Sequence, residues 1–216
     1  MDTNAFQNMT FTDVRHLPIV KSYANKIRLV DTINHLVDTQ MELDPGTAVM
    51  AMVIDTLSGR SPLYRLSEFF DEKDTELLLG KPVPPERFSD YNLGRAIDKI
   101  YETGTQKIFS QISQNAIGGF EISTLGAHYD TTSISLFGDY ELINPPFEIT
   151  YGHSKDKRPD LKQFLVEMLC VDRNIPIFGA TRDGNASDKT LNNELLTNIS
   201  SHMAKNGLDR NAYVYV

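Results

Sequence analysis

The chain has one cysteine, no tryptophan and no apolar run of about 18 residues or more. A single cysteine excludes an internal disulfide and a zinc site built from several cysteines. Cys170 lies in the apolar run FLVEMLCV, where we expect it to pack in a core. Because no run is long enough to cross a bilayer, no membrane-spanning helix is expected.

Several motifs of common enzymes are absent. The sequence contains neither GxxxxGK[ST] nor GxGxxG, so a nucleotide cofactor is not expected, and it has no GxSxG nucleophile elbow. Its start, MDTNAFQNMTF, has neither a basic beginning nor an apolar segment long enough for export. The cytoplasm is therefore the expected location.

Positive charge is also scarce, since the net charge is −8. Proteins that bind nucleic acid over their whole surface are usually basic, so this balance argues against such binding. One local cluster is an exception, although Asp156 and Asp160 dilute it. It consists of Lys155, Lys157, Arg158 and Lys162.

From about Val14 to Phe120 the apolar spacing is helical. Asp44-Pro45 is a favourable helix start, and Ser58-Gly59 is a favourable end. Gly118-Gly119 is expected to end the helical region. Ser89 or Asp90 is expected to cap a later helix. The predicted apolar face of that helix consists of Leu93, Ile97, Ile100 and Tyr101.

Basic residues of this helical part have two readings. They can face DNA phosphates, or they can form the solvated side of a bundle, which is the commoner situation. The residues are Arg60, Arg65, Arg87, Arg95 and Lys99.

After Gly119 the pattern becomes extended, which predicts two domains, 1–120 and 121–216. Strands are expected at 127–136, 163–171, 175–181 and 212–216, with a short one near FEITYGH. A tight turn at 172–174 is expected to return the chain antiparallel, which makes a three-stranded meander. A helix from Ser187 or Asp188 to Lys205 is expected before the last strand. The predicted class is α/β, in its α+β form: a helical bundle followed by strand, strand, strand, helix and strand.

The first of these strands carries a carboxylate, Asp130, near its centre. Strands are depleted in Asp, and burial of a carboxylate is unfavourable unless a metal, a cation or hydrogen-bond donors compensate it. Asp130 is therefore expected to have such a partner. An acid in the first strand of this element order is typical of the beginning of an RNase H-like core, in which carboxylates surround two divalent ions.

Four segments make a resemblance specific. They are SPLYRLSEFF at 61–70, YDTTS at 129–133, TYGHSKDKRPDLKQF at 150–164 and DGNASDKT at 183–190. In order and spacing they resemble DDE transposases of the insertion-sequence-four superfamily, which have an N-terminal helical region before an RNase H-like core. The resemblance covers most of the chain.

The resemblance implies that Asp130 is the first catalytic, metal-binding acid of the DDE set. The implied cofactor is Mg²⁺ or Mn²⁺, and the implied partner is DNA at the transposon ends, with a homodimer as a candidate assembly. Lys155, Lys157 and Arg158 are the expected contacts to the DNA backbone. Their alternative role is an ordinary solvated loop.

In the family the second acid directly follows the fourth strand, which here is AYVYV, and a Glu follows much later. The chain is therefore expected to be an N-terminal fragment that does not cleave DNA alone. A second hypothesis is a non-catalytic DNA-binding or dimerising remnant. A third is a metal-dependent nuclease that uses Asp130 with Asp183, Asp188 or His128, although turn and helix-cap roles explain the two aspartates without a metal.

Overall fold

A computed structural model describes residues 12–140, 145–153, 157–187, 201 and 214–215. The chain divides into two compact units, which meet in sequence at Asn115 and Ala116. The first unit is helical and the second contains a sheet, so the mixed helix and strand composition expected from the sequence is confirmed.

The helices of the described residues begin close to the expected signals. Asp44 caps the third helix by accepting a hydrogen bond from the backbone N–H of Thr47. Ser89, rather than Asp90, caps the sixth. The helices are α1 (Leu17–Lys26), α2 (Leu29–Leu36), α3 (Pro45–Thr56), α4 (Leu66–Asp71), α5 (Thr75–Leu79), α6 (Asp90–Thr103) and α7 (Thr105–Phe120).

Two details of the helical part differ from the sequence-based expectation. Helix α7 continues through Gly118 and Gly119 to Phe120. On α6, Leu93 is buried but Ile97 and Tyr101 are exposed. The buried residues of α6 are Leu93 and Ala96, so the buried side of the helix is rotated from the predicted apolar face.

The core of the first unit centres on two stacked aromatic rings, Phe70 and Phe88, whose centroids are 4.4 Å apart. Helices α2 and α3 approach closely at Gly46, where an added Cβ would lie 2.5 Å from the carbonyl oxygen of Val30. No helix of the described residues has the length and apolar content needed to cross a membrane.

The second unit contains strands β1 (Gly126–Leu136), β2 (Lys162–Val171), β3 (Ile175–Arg182) and β4 (Val214–Tyr215). Their order in the sheet is β3-β2-β1-β4. The first three strands are antiparallel neighbours, as the sequence predicts, and β4 lies parallel to β1. The short strand expected near FEITYGH is reduced to one bridge between Thr150 and Gln163.

One face of this sheet is covered and the other is open. The covered face is apolar near the start of β1 and includes Ala127, Leu169, Val171, Ile177 and Phe178. The helix expected from Ser187 or Asp188 to Lys205 lies almost entirely outside the described residues, although Ser201 is helical.

Candidate functional site

The open face of the sheet carries the acid that the sequence singles out. Along β1 the exposed positions are His128, Asp130, Thr132 and Ile134, which alternate with more buried ones. Side chains of a strand alternate between the two faces of a sheet, so these residues share one face. Across the ladder, His128 pairs with Cys170 and Asp130 pairs with Met168.

Apart from Ile134, these residues line a shallow concavity of about 330 Å³. Its lining includes Val166 and Met168 from β2 and the polar side chains of His128, Asp130 and Thr132 from β1. The open face therefore offers a carboxylate and an imidazole beside apolar side chains. We call this surface the Asp130 face.

The side chain of Asp130 is exposed and not buried. Its Oδ1 accepts a hydrogen bond of 2.8 Å from the backbone N–H of Thr131. An exposed carboxylate keeps most of its hydration, so the burial cost that seemed to require a compensating metal or cation does not arise. Its exposure leaves it accessible to a ligand that arrives from solvent.

Mg²⁺ is usually held by a small set of carboxylates together with water and phosphate. Within the described ranges, no three His, Cys, Asp or Glu side chains are grouped closely enough to hold a metal ion. Asp183 is engaged elsewhere, since its Oδ1 accepts a 2.7 Å hydrogen bond from the backbone N–H of Glu148. Asp188 lies outside the described residues. The described residues thus supply a single carboxylate on this face and do not by themselves fit a complete magnesium site.

The basic loop is only partly described. Lys155 lies outside the described residues, whereas Lys157 is exposed and has a left-handed backbone with φ of 56°. Arg158 donates two hydrogen bonds, of 2.8 and 2.7 Å, to Asp160, and these lower the pKa of the Asp160 carboxyl. The guanidinium carbon of Arg158 also lies 5.7 Å from the centroid of the Phe137 ring. Part of the positive charge expected to contact DNA is therefore balanced within the loop.

Most basic residues of the helical unit also have local partners. Arg65 pairs with Glu68, Arg87 with Glu42 and Lys99 with Glu102, all on the surface. The guanidinium of Arg95 lies over the ring of Tyr91. These contacts favour the reading in which the residues form a solvated side of the bundle.

Cys170 is not a core residue, contrary to expectation. It is half-buried and lines the concavity of the Asp130 face. Burial raises the pKa of its thiol, which favours the protonated form. In the run FLVEMLCV it alternates with the buried Leu169 and Val171, and that alternation was the available signal of its position.

A buried ionic cluster on the covered face was missed from the sequence. Glu167 is fully buried, and its Oε1 lies 2.8 Å from a guanidinium nitrogen of Arg182. Its Oε2 accepts a 2.9 Å hydrogen bond from the hydroxyl of Tyr129, the residue before Asp130. The cluster joins β1, β2 and β3 directly behind the Asp130 face.

A family model described as a domain of unknown function, DUF4277, matches residues 9–114. The match falls on the helical unit and does not reach the sheet. No curated protein and no solved structure matches the chain.

Proposed function

We propose that the chain is part of a DDE-type DNA transposase and that Asp130 is the first of its metal-binding carboxylates. The observation that supports this most is the position of Asp130, which lies inside the first strand of the sheet and is exposed on the open face. A carboxylate so placed can meet a metal-bound phosphate of DNA from solvent. In such enzymes, paired divalent ions supply the clamp on the attacking and leaving oxygens.

The strand order supports an RNase H-like core. Three antiparallel strands are followed by β4, which lies beside β1 and runs parallel to it. A parallel return of this kind needs a crossover, usually a helix. This agrees with the expected order of strand, strand, strand, helix and strand.

The direction of β4 also supports the proposed role of Asp130. Gly126 and Ala127 of β1 pair with Val214 and Tyr215 of β4. Because the two strands are parallel, β4 runs in the same direction as β1, from Ala127 towards Asp130. In the family that the chain resembles, the second acid directly follows this fourth strand.

DNA binding is tested with duplexes copied from the DNA that flanks the coding sequence on both sides, where transposon ends would lie. We expect the chain to bind one of them more tightly than a shuffled duplex, by at least about tenfold, in fluorescence anisotropy. Equal affinity for the flanking and shuffled duplexes would contradict the proposal.

Metal binding is tested by titration with Mn²⁺, followed by electron paramagnetic resonance, in the presence of the bound duplex. Asp130→Asn should weaken Mn²⁺ binding, whereas Asp172→Asn, which alters an exposed acid in the turn after β2, should leave it unchanged. If the chain binds the duplex specifically but Asp130→Asn leaves Mn²⁺ binding unchanged, the result would instead support a non-catalytic DNA-binding remnant.

A further inference from the structure

Two buried polar atoms of the sheet lack a hydrogen-bond partner within the part of the chain that the structure describes. They are the Oγ of Ser135 and the Oε1 of Gln163. The two residues are opposite each other in the ladder between β1 and β2. Buried polar groups in folded proteins are nearly always satisfied by protein groups or by ordered water, so such a pair needs an explanation.

The side-chain amide of Gln163 is fixed in orientation. The residue is 1% exposed, and its Nε2 donates a 2.7 Å hydrogen bond to the carbonyl oxygen of Gly184. Because only the nitrogen of the amide can donate to that carbonyl, the oxygen is the atom that remains without a donor. The backbone of Gln163 is held as well, by hydrogen bonds in both directions with Thr150.

Two loops pack closely against Gln163. An added Cβ at Gly184 would lie 2.0 Å from the carbonyl oxygen of Gln163. One at Gly152 would lie 1.9 Å from the carbonyl oxygen of Gly184 and 2.7 Å from the Nε2 of Gln163. At these two glycine positions, the loops leave no room for a methyl group beside the backbone and the Nε2 of Gln163.

Ser135 has the complementary chemistry. Its hydroxyl can both donate and accept, whereas the Oε1 of Gln163 can only accept. Residues directly opposite in an antiparallel ladder have side chains on the same face, with Cβ atoms about 4.5–5.5 Å apart. The two side chains thus lie on the same face of the sheet, and their oxygens do not bond each other directly.

We infer that one buried water molecule binds between Ser135 and Gln163, donating to the amide oxygen and hydrogen-bonding to the hydroxyl. Two polar partners are the minimum that a buried water needs. A divalent cation would require about six oxygen ligands and does not match this pair. The water links the last part of β1 to β2 and, through the amide, to the loop at Gly184. This site is independent of the proposed function.

The water is detected in the 216-residue chain by NMR, through nuclear Overhauser effects between water and the side-chain amide protons of Gln163. We expect cross-peaks whose sign indicates a long-lived bound water, and we expect Ser135→Ala to abolish them. Absence of such cross-peaks in the unaltered protein would overturn the inference.

Stability gives an independent readout. If a water satisfies both oxygens, Ser135→Ala should lower the folding equilibrium constant about fivefold to tenfold in urea unfolding. Thr132→Ala, an exposed position on the opposite face of the same strand, should leave this constant nearly unchanged. An Ser135→Ala variant as stable as the unaltered protein, or more stable, would show that the hydroxyl has no bound water to lose.

Discussion

At the scale of single residues, Asp44 joins more elements of the helical unit than its role as a helix cap requires. Its carboxylate accepts hydrogen bonds from the backbone and hydroxyl of Thr47 and from the side chain of Asn34, and it pairs with Lys81. Burial by itself raises the pKa of Asp44. The hydrogen bonds from Lys81, Thr47 and Asn34 together lower this pKa by more, so the net result is a pKa below the usual value of 3.8.

This lowered pKa predicts how the stability of the helical unit depends on pH. Asp44→Asn keeps a cap acceptor but loses the charge that attracts Lys81, so it should reduce the free energy of unfolding by about 1–2 kcal/mol at pH 7. Because the folded state has the lower pKa, the unfolded chain binds more protons near pH 3.8, and the stabilisation is lost as pH falls through the folded-state value.

Urea unfolding of both proteins between pH 2 and pH 7 measures this dependence. The difference between them should be full above pH 3.8 and should shrink below it. Asp74→Asn, at the cap of α5, is the control and should change stability by less than about 0.5 kcal/mol. A difference that stays constant over the whole range would contradict the assigned role of the Asp44 charge.

At the scale of elements, local patterns predicted the antiparallel meander. The run QFLVEMLCV is apolar enough for a central strand, and β2 does lie between β1 and β3. The turn after Val171 returns the chain into β3. Within this turn, Arg173 and Asn174 both have positive φ. Strand existence and order along the chain are local properties, which explains this agreement.

Burial and partners were harder to predict because they depend on which face is covered and on strand register. The alternation in β2 places Glu167 on the same face as Leu165 and Leu169, but it does not show that this face is the covered one. The contact of Glu167 with Arg182 depends on a register that shifts between Leu169 and Cys170. The exposure of Asp130 could not be predicted for the same reason. The sequence indicates that Asp130 lies in a strand, but it does not indicate which face of the sheet is open.

Two glycines test how tightly particular elements are packed. At Gly184 an added Cβ would meet backbone oxygens at 2.0 and 2.7 Å, so Gly184→Ala should destabilise the sheet unit by more than about 2 kcal/mol. Gly94 lies within α6, and apart from its chain neighbours and the backbone of its own helix no atom lies within 4 Å of an added Cβ. Gly94→Ala should therefore stabilise the protein by about 0.5–1 kcal/mol, because alanine favours the helix.

Thermal unfolding of the two variants separates these effects. A lower midpoint for Gly184→Ala with a higher one for Gly94→Ala is the expected pattern. If Gly184→Ala were as stable as the unaltered protein, the two loops beside Gln163 could not be packed as closely as described.

At the scale of the whole molecule, a net charge of −8 restricts how the chain can bind DNA. Many of its basic side chains are paired on the surface with acids close by in the sequence, as Arg65 is with Glu68 and Arg158 with Asp160. Such exposed pairs contribute little to stability, and water and salt screen them. A phosphate can therefore replace the carboxylate of such a pair at small cost, which keeps Lys157 and Arg158 as candidate contacts.

The salt dependence of binding tests whether these two residues contact DNA in the proposed transposase. Each phosphate contact contributes about −0.9 to the slope of log K against log salt concentration, so Lys157→Gln with Arg158→Gln should make the slope shallower by about 2.

Removing two positive charges also changes the net charge from −8 to −10, which would weaken binding without any direct contact. Arg173→Gln, which removes one charge from the turn between β2 and β3, controls for that general effect and should leave the slope nearly unchanged. Equal slopes for the double variant and the unaltered protein, measured by anisotropy between about 50 and 200 mM salt, would exclude the loop as a phosphate contact.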